Sequence, residues 1–279
     1  MIMILKKNKP VILLLQHFLK RWMGILLICW LPMTFSGYAK ADQVISDLKV
    51  LSLVIEKQSQ EIARTGRPNV AQQLLLNQEK LNQALLLLRK RTTRYSDIEQ
   101  ILKDGQAISA NIDIIVKHQK SFEDLYTFHL TTAIEIPGIQ AEYNLMTDYM
   151  ARHNYPSDQV VIAKNQVFVA ERILKSLISL SQYNESARYD LEDLSEDIET
   201  FSIYLEAQLE GKAELGVIKI KDAVLRESLL SIQQNMDAIL NVGSNNILHN
   251  SESFLKMIQV INDNITQSNA LFNALEKLD

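Results

Sequence analysis

Residues Val160–Leu180 read VVIAKNQVFVAERILKSLISL, and their spacing decides the fold. Apolar side chains recur every three or four positions, the period of an amphipathic helix, and no alternation of period two competes with it. The same stepping runs outward from this stretch. It carries Leu191, Leu194, Ile198, Phe201, Leu205 and Leu209, then Leu225, Leu229, Ile232, Met236 and Ile239, then Phe254, Ile258, Ile261, Ile265, Phe272 and Leu275. In the last run Asn and Ser fill the remaining faces. A stripe of this kind must be buried against other helices. The spacing therefore predicts an all-α protein, an elongated bundle of long antiparallel helices; a helix of about 25 residues is ~37 Å long. Helices are expected over 43–64, 69–92, 95–132, 139–153, 158–182, 187–210, 221–241 and 246–278. Pro68, Pro137 and Pro156, with most of the glycines, fall between these segments as helix punctuation. Gly105 lies within the third.

A weak internal repeat links Arg67–Leu88 to Ser157–Leu180. Val70-Ala71 aligns with Ile162-Ala163, Glu79-Lys80-Leu81 with Glu171-Arg172-Ile173, and Leu88 with Leu180. Two related helical halves follow, 42–133 and 134–279, after a leader over 1–41.

The apolar stripe of Val160–Leu180 carries three polar side chains. On a helical projection Asn165, Arg172 and Ser176 lie ~20–60° from Val161, beside Val169, Ile162 and Phe168. The repeat puts Gln73 and Lys80 at the corresponding positions of the first half. A cation buried without a partner is costly, so each requires a carboxylate, carbonyls, water or a bound anion. Three readings stand: long side chains snorkelling from the seam edge, register-setting hydrogen bonds between helices or across a dimer, or a small-ligand site between helices. The third makes Asn165, Gln166, Arg172, Ser176, Gln73 and Lys80 candidate ligand-binding residues.

The leader has Lys6, Lys7, Lys9, Lys20, Arg21 and Lys40 and no acid, an apolar run from Met23 to Phe35, and Ala39 and Ala41 as a small-x-small cleavage signal. An export signal cut after Ala41 and an uncleaved signal-anchor, aided by Val11–Leu19, both place the rest outside the cytoplasm, in the periplasm. Past Ala41 the chain has 23 basic and 33 acidic side chains, a net charge of −10, which argues against nucleic acid and anionic membranes as partners. Cys29 is the single cysteine, so no thiol remains for catalysis beyond the leader. His118, His129, His153 and His249 make no metal-ligand spacing, and phosphate-binding and nucleophile-elbow motifs are missing. Neither an enzyme, a metal nor a cofactor is expected. Tyr143, Met146 and Met150 read as core. The acids of DLEDLSEDIET (Asp190–Thr200) read as a solvated face opposite Leu191, Leu194 and Ile198.

Three stretches carry a family resemblance: IPGIQAEYNLMTDYM from Ile136, QVVIAKNQVFVAERILKSL from Gln159, and YLEAQLEGKAELGVIKI from Tyr204. The run Ala163, Gln166, Ala170, Glu171, Arg172, Ile173 and the closing Leu209-Glu210-Gly211 and Leu215-Gly216-Val217 match motifs of PilJ-type sensory domains. From Ile136 to Ile239 the chain resembles those input domains of type IV pilus chemotaxis transducers, and Gln43–Lys120 resembles their other repeat more loosely. The resemblance implies a helical periplasmic sensor, dimeric, reading pilus subunits or small solutes. In related nitrate-sensing domains an arginine in an A-G-x-x-R run binds the anion; here the matching positions hold Leu75 and Val167. The transducers continue into a second membrane helix and a cytoplasmic output. This chain is therefore expected to act through a partner, a membrane receptor or transducer or a type IV pilus component. Alternatives are a periplasmic binding protein for an anion or amino-acid-like solute, and a structural or truncated transducer remnant.

Overall fold

A computed structural model describes residues 42–91, 98–183, 186–242, 247–248 and 250–278. The leader expected over 1–41 lies outside these, as does His249. Among the described residues the chain is helical, with no strand and one isolated backbone bridge between Lys212 and Val217. The helices are α1 (42–65), α2 (Pro68–Arg91), α3 (Ile98–Lys117), α4 (Gln119–Arg152), α5 (Ser157–Leu180), α6 (Ala187–Glu210), α7 (Ala223–Asn241) and α8 (Ser251–Glu276). A 3₁₀ turn over Ala213–Leu215 lies between α6 and α7. No helix among them is long and apolar enough to cross a membrane.

The helices sort into two four-helix bundles. Helices α4, α5, α6 and α7 pack together, and α3 packs on both α2 and α8. Helix α1 completes the second group: Gln58 accepts from Asn77 of α2, and Ser59 accepts from Asn264 of α8. The α4–α7 bundle is thus inserted between α3 and α8. The sequence division at 133–134 falls inside α4, and the C-terminal helix, grouped by sequence with 134–279, lies against α3. The repeat helices α2 and α5 each span 24 residues and take the same place, second in chain order, in their respective bundles.

The bundles meet end to end where the long helices break. Gly66 closes the α1–α2 turn at φ 59°, a left-handed conformation that favours glycine. A Cβ there would fall 2.0 Å from the Glu123 backbone nitrogen, so α4 can approach only because the side chain is a hydrogen. Tyr183, just past α5, also adopts positive φ, 53°. Its hydroxyl donates to the Ala63 carbonyl and its ring meets Phe122 edge-on at 6.2 Å. Contacts on both sides hold a conformation that a tyrosine alone disfavours.

Three features depart from the sequence reading. The break expected around Pro137 is absent: α4 runs 34 residues straight through it, with Ile136 and Ile139 both buried. The proline costs one backbone hydrogen bond, and packing on both flanks holds the helix together. The chain breaks instead at His118 (φ −99°, ψ 12°), between α3 and α4. In α8 the core stripe includes Asn264 and Ser268, both essentially inaccessible, whereas Ile265 and Phe272 are half-buried. Those polar residues occupy core positions because the stripe keeps its three–four stepping through them and Ser59 of α1 offers a partner. The other stripes hold: every residue named above from Leu191 to Leu209 and from Leu225 to Ile239 is buried, as are Tyr143, Met146 and Met150.

Candidate functional site: the groove between α5 and α6

Helix α5 buries a face centred on Ala163, Gln166, Ala170 and Ile173. This is a third of a turn from the polar stripe read in sequence, about 120° by the 100° helical step. Val161 and Phe168, which set that earlier phase, are 53% and 54% exposed. The error has a physical source. Bulky side chains mark a stripe visibly, but here alanines let the first half of α5 sit close to its neighbours, while Val161 and Phe168 point out. Asn165 and Arg172 consequently lie outside the core and line an open groove between α5 and α6. Gln73 and Lys80 are exposed on α2 in the other bundle, so they do not join Arg172; Lys80 Nζ contacts only Asn77 Oδ1, at 3.4 Å, among the described residues.

Arg172 divides the groove in two. Its Nε donates to Asp197 Oδ2 at 3.1 Å and a terminal nitrogen donates to Oδ1, a two-point clasp across the helices. Asp197 is 6% exposed, so the run Asp190–Thr200 is not uniformly solvated: one of its acids is drawn into the wall by the arginine. A second is also engaged, since Asp190 Oδ2 accepts from Ser179 at 2.8 Å and Ser186 at 2.6 Å. Toward the bundle junction the groove is polar, about 420 Å³, and sets Arg172 and Lys175 against Asp190, Asp193, Glu196 and Asp197. Ser176 lies at its floor, nine-tenths buried, and its hydroxyl has no hydrogen-bond partner among the described residues. Toward the distal end the groove is more apolar, about 320 Å³, lined by Asn165, Phe168 and Val169 of α5 and by Thr200 and Tyr204 of α6.

Beneath it lies a buried polar array. Gln166 donates from Nε2 to the Phe201 carbonyl at 2.9 Å, and Tyr143 donates to Gln208 Oε1 at 2.9 Å. Burial drives the Tyr143 phenol far above its ordinary value, with the nearby Gln166 side chain opposing the shift, so it stays a donor. Gln166, a candidate ligand residue by sequence, commits its amide nitrogen to tying α5 to α6, as Tyr143 ties α4 to α6. Gln159 serves the distal end likewise: its Nε2 donates to Gly216 and its Oε1 accepts from Ile218, anchoring the α6–α7 loop. Among the described residues no group of three or more His, Cys, Asp or Glu is placed to hold a metal ion.

Sequence reasoning named residues on the α5 wall of this groove and none on α6. Asp193, Glu196, Asp197 and Tyr204 line the groove from α6. A signal was present in the cations Arg172 and Lys175 on one helix and acids at spacings of three and four on the next.

No family model matches the chain. Among curated proteins it is 25% identical over 150 residues, 54% of its length, to AlkN of Alcanivorax borkumensis, named for methyl-accepting chemotaxis. It is 26% identical over 148 residues, 53% of its length, to Protein PilJ of Pseudomonas aeruginosa. The likeness is to a chemotaxis protein and to PilJ. Each match spans 22% of the relative's own length.

Proposed function

We propose that the chain is a non-enzymatic, extracytoplasmic sensory module of a chemotaxis-type system that receives a small solute in the α5–α6 groove. It passes the result to a partner, a membrane transducer or a type IV pilus component. One observation carries the reading. The groove lies in the distal bundle, whereas residues 42 and 278 both lie at the far end of the other bundle, where α1 begins and α8 ends. A stimulus received at one end can thus reach a partner at the other through the near-continuous α3–α4 run and through α8. The similarity to AlkN and PilJ supports the same role, and the leader supports export. Partner contact is assigned to the α1–α8 end, alone or as a homodimer.

Affinity capture from a periplasmic fraction of cells carrying the tagged full chain tests this. Co-purification of a chemotaxis transducer or pilus component is expected. A chain that fractionates with cytosolic markers, or a capture that recovers neither class, contradicts the proposal.

A further inference from the structure

We infer that the α5–α6 groove takes an organic cation: a primary ammonium or guanidinium group seated against Asp193, Glu196 and the Ser176 hydroxyl, carried on an apolar body lying along Phe168 and Tyr204. This assignment rests on the groove being the recognition site proposed above and names the chemistry it recognises.

Charge decides the head group. With Arg172 matched to Asp197, the polar half keeps one cation, Lys175, against three carboxylates. Asp193 and Glu196 sit one turn apart on the same face of α6, and neither enters an ion pair among the described residues. Like charges at that spacing repel, and a bound cation relieves the repulsion. An anion would meet an Arg172 whose Nε and one terminal nitrogen are already given to Asp197, and a Lys175 set among three carboxylates.

Ser176 is the second, independent mark of a site. The Ser176 side chain is nine-tenths buried, opens onto the groove and makes no hydrogen bond to another described residue, so its hydroxyl can accept an ammonium N–H. The distal half supplies the apolar complement. Phe168 exposes more than half of its surface next to Tyr204, an arrangement suited to an alkyl or aryl body. Phe168 and Ser176 are eight residues apart on one helix, so head and body seats are separated by ~12 Å. Between them the Arg172 guanidinium presents a flat face over which an aryl ring or a methylene chain can pass.

The test compares two probes with one body and opposite heads. Phenylbutylamine and phenylpentanoate are titrated calorimetrically into the purified full chain at about 0.15 M salt, where a Debye length of about 8 Å screens diffuse attraction to an acidic protein. The amine is expected to bind and the acid to bind at least about tenfold more weakly. Asp193→Asn combined with Glu196→Gln should weaken the amine by about tenfold or more with the melting curve unchanged, since both side chains are exposed. Ser176→Ala should weaken it about threefold or more with no change in charge, which general attraction to acids would not do.

Acid binding as tight as amine binding, an amine indifferent to the carboxylate variants, or no binding of either probe overturns the cation assignment. The first result, if abolished by Arg172→Ala, leaves the groove as the recognition site with the opposite ligand charge. Partner capture by a chain that binds neither probe leaves the sensory role standing without this ligand.

Discussion

Gly105 offers a prediction whose sign depends on one neighbour. It is buried inside α3, where glycine costs about 1 kcal/mol relative to alanine. On propensity alone Gly105→Ala stabilises. The packing opposes it: a Cβ at 105 would lie 2.4 Å from Leu85 Cδ1, 2.9 Å from Cδ2 and 3.2 Å from Cγ. Leu85 is itself 4% exposed on α2 and has little room to retreat. Overpacking of this kind costs about 1–3 kcal/mol, so the net effect is a loss of about 0–2 kcal/mol. Leu85→Ala alone removes a buried leucine and costs about 2–5 kcal/mol through lost burial and the space left behind. In that background the obstruction is gone, so Gly105→Ala recovers its propensity gain of about 1 kcal/mol. The substitution therefore destabilises the wild type and stabilises the Leu85→Ala protein, a coupling of about 1–3 kcal/mol. Urea unfolding of the four proteins, followed by circular dichroism, measures it. If Gly105→Ala stabilises both backgrounds equally, α2 and α3 do not approach at this point and the packing described for that bundle is wrong.

Three further outcomes are expected. Arg172→Ala leaves Asp197 buried without its partner and, because the arginine is 60% exposed and screened by solvent, lowers stability by only about 1 kcal/mol, or ~2–4 °C in melting temperature; an unchanged melting temperature in both Arg172→Ala and Asp197→Asn would show that the clasp does not form. Asn264→Leu removes a carbonyl oxygen that meets no protein partner among the described residues, while Ser59 keeps its bond to the Ile55 carbonyl, so stability should hold or rise by about 1 kcal/mol; a fall of several degrees would refute this. Asp222 caps α7 by accepting from the backbone of Val224 and Leu225, and the Leu225 N–H, helped by Tyr149, holds its carboxyl below the ordinary aspartate value. A depressed folded-state value means stability that is present above an ordinary value of about 4 and lost as pH falls through the lower one. Asp222→Asn should thus flatten the acid limb of the stability–pH curve, and an unaltered limb would count against the cap.

The fold was legible where large apolar residues mark the buried face. Leu191 to Leu209 and Leu225 to Ile239 fixed α6 and α7 within a residue or two, because leucine, isoleucine and phenylalanine at that spacing leave one orientation open. Legibility failed where burial is achieved by other means. The α5 core face is built on Ala163, Gln166 and Ala170, and the α8 face on Asn264 and Ser268; neither set declares itself by hydrophobicity. Pro137 was read by its local rule, and packing through Ile136 and Ile139 overrode that rule. The return of α8 to α3 joins segments far apart in the chain and leaves no local trace; the Asn111–Gln267 hydrogen bond is an example. At the candidate site, sequence pointed to Arg172 and Ser176. Asp197 could not be seen as their neighbour until α5 and α6 were set side by side.

Recognition in the distal groove is tested most directly by hydrogen–deuterium exchange of the full chain with and without saturating phenylbutylamine. Added protection over the α5 and α6 segments around Asn165–Ser179 and Asp190–Tyr204, with α2 unchanged, is the expected result. Protection centred on α2 around Gln73 and Lys80, or none along α5 and α6, would contradict it.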